Sequence, residues 1–141
     1  MFSYEVVTNP NSYLDLWLKL VREVDSNAGP NSDWFLEQTR VLMDSGNYVV
    51  HVALYNGKII GFCDGLVMND CSTGKVIGYG MHLYVEKEFR NQHVASNLRQ
   101  KTESVMIGKG ATVLQHNCFE DKKSFWEHQG FEVNQFVMRR K

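Results

Sequence analysis

The sequence has few of the residues that stabilise small secreted proteins or bind structural metals. Its 141 residues include three cysteines, Cys63, Cys71 and Cys118, which form no C-x-x-C pair and are odd in number. The five histidines show no His-x-x-x-His spacing. These absences exclude a complete disulfide framework and predict no metal site. Unpaired thiols are typical of a reducing compartment, so we expect a cytoplasmic protein.

Long apolar runs and a strong net charge are also missing. No stretch approaches the ~20 apolar residues of a transmembrane helix, and the N-terminus shows no signal-peptide pattern. The formal net charge is −1, so the chain lacks the basic footprint of a general nucleic-acid binder. We therefore expect neither a membrane nor a nucleic acid as a partner.

Apolar and aromatic residues, in contrast, are plentiful. They make up 43% of the chain, with 8 Phe, 6 Tyr and 3 Trp, which is enough to form a core. The length suits one domain. Because no repeat, low-complexity tract or linker interrupts the chain, we predict a single domain over residues 1–141.

Apolar periodicity and turn residues predict the element order β-α-α-β-β-β-α-β-α-β. Asn56-Gly57 lies between two apolar runs and predicts a type I′ hairpin, because both positions of that turn need positive φ. A strand–helix–strand unit after an antiparallel meander predicts an α/β fold of the α+β type. Its mixed, mostly antiparallel sheet would have about six or seven strands and would be flanked by about four helices in all, distributed over its two faces. The predicted strands are Tyr4–Thr8, Tyr48–Tyr55, Lys58–Met68, Val76–Glu86, Thr112–His116 and Glu132–Met138. The predicted helices are Ser12–Val24, one capped by Ser32 or Asp33 and ending near Ser45-Gly46, one opening at about Asn91–His93, and Asp121–Gln129.

The stretch from Leu83 to Ser96 is the most informative part of the sequence. A hydrophobic strand ends there, a short charged turn follows, and a helix begins. The first N–H groups of a helix have no intrahelical partner and lie at the positive end of the helix dipole, so they favour an anion. Arg90 adds a positive charge, and Ala95 and Ser96 are small. An ordinary strand–turn–helix stays the alternative interpretation.

Three segments resemble the GNAT superfamily of N-acetyltransferases. Leu83-Tyr84-Val85 is followed, after four residues, by Arg90-Asn91-Gln92-His93-Val94-Ala95, which is similar to the family's Arg/Gln-x-x-Gly-x-Gly/Ala. Ser124–Phe131 is similar to the aromatic-pair-to-Gly-Phe segment, and Asn117 stands where the family often has Asn. The predicted element order is also the family's order.

The resemblance implies that acetyl-CoA, or another acyl-CoA, is the cosubstrate, without a metal. Its pyrophosphate would bind the amides of Gln92–Ser96. The pantetheine arm would lie between the fourth and fifth predicted strands, where the amides of Leu83 and Val85 can pair with it. The acyl carbonyl would then lie near Val85, polarised by a backbone N–H. The residues expected to contact the cosubstrate are Leu83, Tyr84, Val85, Arg90, Asn91, Gln92, His93, Val94, Ala95, Ser96, Asn117 and Trp126.

Two positions depart from the family pattern. His93 replaces its central Gly, although His enters the left-handed region more readily than most residues and we expect binding to be retained. Trp126 stands where the family often has a Tyr that protonates the leaving thiolate, and an indole cannot give up a proton in this way. A thiol has a pKa of about 8.5 and leaves without an acid, whereas an amine of pKa about 10.4 needs a base or a desolvated pocket that lowers its pKa. His82 and His116 are the candidates for this base, with Tyr79 or Glu86 acting through water, and partly buried structural histidines are the alternative.

The chain is therefore predicted to be an N-acetyltransferase that moves an acetyl group directly from acetyl-CoA to an amine. A catalytically silent domain of the same fold that binds CoA or a protein is the alternative. The acceptor stays open between a small amine and a protein amine, and a homodimer stays open as the oligomeric state.

Overall fold

The computed structural model of the chain describes residues 1–135 and 138–140. These residues form six β-strands and four α-helices. The strands are β1 (Phe2–Val7), β2 (Tyr48–Tyr55), β3 (Lys58–Asp70), β4 (Lys75–Gly80), β5 (Leu83–Val85) and β6 (Val113–His116). The helices are α1 (Leu14–Val24), α2 (Ser32–Asp44), α3 (Val94–Gly108) and α4 (Lys123–His128).

All strands belong to one sheet in the order β1-β2-β3-β4-β6, with β5 paired to β3. Every pairing is antiparallel except that of β4 with β6. The parallel pair is joined through α3, as the strand–helix–strand pattern predicts. The predicted mixed, mostly antiparallel sheet is therefore confirmed.

Helices cover both faces of the sheet because the strands present apolar side chains on both sides. On one face Val50, Val52 and Phe62 pack with Tyr13 and with Leu16 of α1, and residues of α2 lie against this cluster. On the other face Ile60 and Val85 pack against Val94 and Leu98 of α3. We call these the α1 face and the α3 face.

The Asn56-Gly57 turn has the predicted conformation. Both residues have positive φ, 51° for Asn56 and 79° for Gly57, as a type I′ hairpin requires. The N-cap of α2 differs from the prediction, because Asn31 rather than Ser32 or Asp33 accepts the hydrogen bond from the Trp34 amide, at 3.0 Å. An amide oxygen one residue earlier reaches the free N–H of the first turn equally well.

The second half differs from the prediction at three element boundaries. The strand predicted over Val76–Glu86 is divided into β4 and β5, with Met81 and His82 between them. The last helix begins at Lys123 after a 3₁₀ turn over Glu120–Lys122. Of the strand predicted over Glu132–Met138, residues 132–135 form no strand and residues 136 and 137 lie outside the described part.

Candidate functional site

The turn between β5 and α3 presents free backbone donors. The first intrahelical hydrogen bond of α3 runs from the Asn97 amide to the His93 carbonyl, at 3.0 Å. The amides of Val94, Ala95 and Ser96 precede it and therefore have no acceptor within the helix. Three adjacent N–H groups at the positive end of a fifteen-residue helix can hold an anionic group.

His93 takes the backbone conformation for which glycine is usually needed. Its φ is 63° and its ψ is 11°, in the left-handed region, and Asn91 has the same φ of 63°. The side chain of His93 makes no capping hydrogen bond to the helix and is exposed. Histidine and asparagine enter this region more easily than most residues, so His93 and Asn91 can hold the turn in this conformation.

Arg90 braces the turn instead of standing as a free charge at its rim. Its Nε donates to the Val85 carbonyl at 2.7 Å, and its NH2 group donates to Glu23 of α1 at 2.8 Å. Its guanidinium also lies over the Tyr84 ring, 5.4 Å from the centroid. Much of its charge is therefore matched by Glu23, whose carboxylate has its pKa lowered, first of all by the hydrogen bond from Arg90.

β5 has one open edge. The Glu86 amide donates to the Ile60 carbonyl at 2.9 Å, and the Asp64 amide donates to the His82 carbonyl at 3.1 Å. Because successive residues of a strand point their backbone groups to opposite sides, the N–H groups of Leu83 and Val85 point away from β3. No strand of the described residues pairs with β5 there, because the pairing of β4 with β6 ends at Gly80 and His116. An extended ligand can lie along this edge.

His82 lies beside this edge, on the α1 face, and is paired with a buried carboxylate. Its Nδ1 is 2.7 Å from Oδ2 of Asp64, which is 1% exposed. The imidazole side chain is 40% exposed. Burial disfavours the charged ring, but the negative charge of Asp64 and the hydrogen bond to it outweigh this effect and raise the pKa of His82.

His116, the other candidate base, lies inside the α3 face. Its side chain is 4% exposed, and its Nε2 is 2.9 Å from Oε2 of Glu103. The ring stacks on Trp126 with centroids 4.3 Å apart and meets Phe131 edge-on at 5.2 Å. These contacts use both the ring face and one ring nitrogen, and they are those of a residue that stabilises the fold.

Of the other sequence-predicted residues, Tyr79 and Asn117 lie at the cleft, whereas Glu86 and Trp126 are engaged by other side chains. The Tyr79 hydroxyl donates a hydrogen bond to Oδ1 of Asn117 at 2.5 Å, where β4 and β6 separate. These two side chains therefore lie at the gap between the open edge of β5 and the end of β6, which we call the cleft. Glu86 is ion-paired with Lys19, which lowers its pKa although burial acts in the opposite direction, so its carboxylate is engaged. Trp126 is 8% exposed and buried against His116, so its indole packs instead of lining the open edge of β5.

Asp64 was missed in the sequence analysis. The signal was present, because Asp64 interrupts an apolar strand between Cys63 and Leu66, and a carboxylate in such a place is costly unless it is hydrogen-bonded. The described residues contain no group of three or more His, Cys, Asp or Glu side chains that could hold a metal. In the same part of the chain, no helix is long and apolar enough to cross a membrane.

Comparisons with known proteins identify a protein family and a fold that match the chain. The family model of an acetyltransferase (GNAT) domain matches residues 46–133, more than half of the chain. No curated protein has a significantly similar sequence.

Among solved structures, a predicted acetyltransferase from Clostridium acetobutylicum, solved with acetyl-CoA, is similar to the chain. It has a TM-score of 0.81 and 14% identity, over 100% of this chain and 96% of that one. A ribosomal-protein-alanine N-acetyltransferase from Brucella melitensis has a TM-score of 0.78 and 15% identity, over 100% of both chains. An aminoglycoside N-acetyltransferase in complex with CoA has a TM-score of 0.78 and 20% identity, over 100% of this chain and 95% of that one. At these identities the likeness establishes a shared fold.

Proposed function

Because the chain belongs to the GNAT acetyltransferase family, we propose that it is an N-acetyltransferase that moves an acetyl group directly from acetyl-CoA to an amine. One observation carries the proposal. The open edge of β5 leads, through the turn braced by Arg90, to the free amides at the start of α3. An extended ligand arm can therefore bind along β5 while an anionic group attached to it binds at the start of α3, on one continuous segment of the chain.

In this proposal the pyrophosphate of acetyl-CoA binds the amides of Gln92–Ser96, and the pantetheine arm pairs with the N–H groups of Leu83 and Val85. The acetyl carbonyl then lies near Val85, whose N–H polarises it. Asn117 borders the cleft on its other side. The three free cysteines of the chain agree with a reducing compartment, and we propose a cytoplasmic location.

The reaction needs a neutral amine. The ammonium first gives up one proton to become the neutral amine. Its nitrogen then bonds to the thioester carbonyl carbon, the carbon–sulfur bond breaks, and CoA leaves as the thiolate. The nitrogen loses its second proton to this thiolate or to solvent. Freeing an alkyl amine of pKa about 10.4 at pH 7 costs roughly 4–5 kcal/mol. His82 accepts the proton that the ammonium gives up, since its partly exposed ring lies beside the cleft whereas His116 is enclosed. Holding amine and thioester together supplies much of the remaining rate enhancement.

Charge at the start of α3 provides a direct test of the cosubstrate site. Ser96→Glu places a carboxylate in the first turn, where the helix dipole favours it, so the fold is preserved while an anionic ligand is repelled. Ser96→Gln is the matched neutral control. Calorimetric titration with CoA should give saturable binding to the wild type and to Ser96→Gln, and binding weaker by about tenfold or more to Ser96→Glu. Equal affinity for the two variants would contradict the proposed placement of the pyrophosphate.

Acetyl transfer to a panel of small amines and N-terminal peptides separates an enzyme from a silent domain. The burial of Trp126 at the position of the family's acid favours the second candidate function, a domain that binds CoA or a protein without catalysis. Turnover well above background, reduced about 100-fold in His82→Gln with CoA binding retained, supports the enzyme. Saturable CoA binding without turnover on any amine supports the silent domain.

A further inference from the structure

Asp64 concentrates four hydrogen bonds on one buried carboxylate. Its Oδ1 accepts from the amides of Met81, at 3.2 Å, and His82, at 2.7 Å. Its Oδ2 accepts from the Tyr48 hydroxyl at 2.6 Å and lies 2.7 Å from Nδ1 of His82. A carboxylate that is 1% exposed is tolerated only when its oxygens are satisfied in this way.

The two amides belong to the break between β4 and β5. Leu66 of β3 pairs with Tyr79, and Cys63 pairs with Leu83, so two residues of β3 lie opposite three residues on the other side. This is a β-bulge. The Asp64 carboxylate binds the amides of Met81 and His82 in the bulge, and it thereby fixes the direction in which the His82 ring points.

The other oxygen of Asp64 determines which ring nitrogen carries the proton. An ionised carboxylate only accepts hydrogen bonds, so Nδ1 of His82 must donate. The Tyr48 hydroxyl also donates, because burial and the charge of Asp64 raise its pKa far above the ordinary value and keep the phenol protonated. In the neutral ring the proton therefore resides on Nδ1 and the lone pair on Nε2, for which the described residues provide no hydrogen-bond partner.

We infer that Asp64 is a positioning residue for acyl transfer: it holds His82 as the Nδ1–H tautomer and so makes Nε2 the acceptor of the amine proton. The inference rests on the proposed function, in which His82 is the base. Asp64 acts through His82 and does not itself contact the amine. The same division of roles is known where a buried carboxylate orients a catalytic histidine.

Asp64→Asn tests the inference with little change in shape. The amide oxygen can still accept from the two bulge amides, but the NH₂ group that replaces Oδ2 can only donate. Nδ1 of His82 must then accept, and the proton moves to Nε2. Tyr48→Phe is the matched control, since it removes one buried hydrogen bond of the same carboxylate and leaves the pairing with His82 in place.

The tautomer is measured without any substrate. Nitrogen-15 NMR of the histidine rings at a pH where they are neutral, with the His82 signals assigned by their loss in His82→Gln, should show Nδ1–H in the wild type and in Tyr48→Phe. Asp64→Asn should show Nε2–H. An Nε2–H ring in the wild type overturns the inference. This NMR measurement needs only the wild-type protein, so it remains decisive if Asp64→Asn does not fold.

Kinetics tests the catalytic consequence. Asp64→Asn should lower kcat/KM for acetyl transfer about 100-fold, with CoA affinity unchanged within about threefold. In the wild type kcat/KM should rise with pH through a pKa above the ordinary value of a histidine, because the charge of Asp64 and the hydrogen bond to it outweigh the effect of burial on the His82 ring. Tyr48 of β2 and Tyr13 beside it stay protonated, because burial raises the pKa of both phenols. Tyr48→Phe should keep this profile, whereas in Asp64→Asn the residual rate should lose it. A rate for Asp64→Asn equal to that of the wild type overturns the inference.

Failure of the proposed function gives a different pattern. A wild type that neither binds CoA nor transfers acetyl groups contradicts the proposed function and the catalytic half of this inference. The tautomer comparison between the wild type and Asp64→Asn then still confirms or refutes the control of His82 by Asp64.

Discussion

Replacing Gly80 by Ala should disturb the fold beside the cleft more than its single added methyl group suggests. A Cβ at Gly80 would lie 2.1 Å from Nδ1 and 2.3 Å from Cε1 of His116, far inside van der Waals contact. The ring cannot move aside freely, because it is held between Trp126 and Glu103. The variant must therefore displace His116 or bend β4.

The expected loss of stability follows from the contacts of His116. Its hydrogen bond to the Glu103 carboxylate is 2.9 Å long and nearly excluded from solvent, and such bonds to charged groups contribute about 1.5–3 kcal/mol. The stacking on Trp126, with rings 26° apart, contributes about 1 kcal/mol. Losing much of both predicts that Gly80→Ala lowers the free energy of unfolding by about 3 kcal/mol.

Urea denaturation followed by tryptophan fluorescence measures this change. Gly108→Ala is the matched control, because its added Cβ at the end of α3 would meet nothing within 4 Å apart from its chain neighbours and the backbone of its own helix. It should stabilise the protein by up to about 1 kcal/mol. In a second background, His116→Ala removes the ring that blocks the methyl group. The further loss caused by Gly80→Ala should then fall to less than about 1 kcal/mol. A loss below about 1 kcal/mol in the wild-type background, or equal losses in both backgrounds, would refute the reasoning.

Two further predictions concern the cap of α2 and the thiols. Asn31→Ala should destabilise the protein by about 1 kcal/mol in urea denaturation, because it removes the acceptor of the Trp34 amide hydrogen bond. Asn31→Asp keeps that acceptor and should stay within about 0.5 kcal/mol of the wild type. Equal loss in both variants would contradict the capping role. A thiol reagent should modify the exposed Cys71 and Cys118 of the native protein quickly. Cys63 should react only on unfolding, because it is fully buried and burial raises its pKa to about 12. Three fast thiols would show that the described packing around Cys63 is wrong.

Most of the fold could be predicted from the sequence because its signals are local. Asn56-Gly57 between two apolar runs predicted a hairpin, and both residues take the positive φ of a type I′ turn. The helical spacing of apolar residues predicted α1 and α3, which the structure places on opposite faces of the sheet. Boundaries were predicted less well. A 3₁₀ turn before α4 and an N-cap one residue earlier than expected depend on hydrogen bonds that several neighbouring residues can make.

The candidate site was predicted in one part and missed in another. The turn from Leu83 to Ser96 has a recognisable order of residue types, and the structure gives it free amides and an open strand edge. His82 and His116 could not be ranked from the sequence, because burial separates them. His82 is partly exposed beside Asp64, whereas His116 is enclosed by Trp126 and Glu103.

The strand–turn–helix from Leu83 to Ser96 was therefore determined by the sequence itself, since each of its elements depends on residues close along the chain. Tertiary structure alone decided the partner of His82. Asp64 lies 18 residues away and reaches it only through the pairing of β3 with β4 and β5. The extra residue in that bulge changes the register, and in a strand a shift of one residue changes the face to which a side chain points. Sequence periodicity cannot locate such a shift, because it arises from contacts between strands.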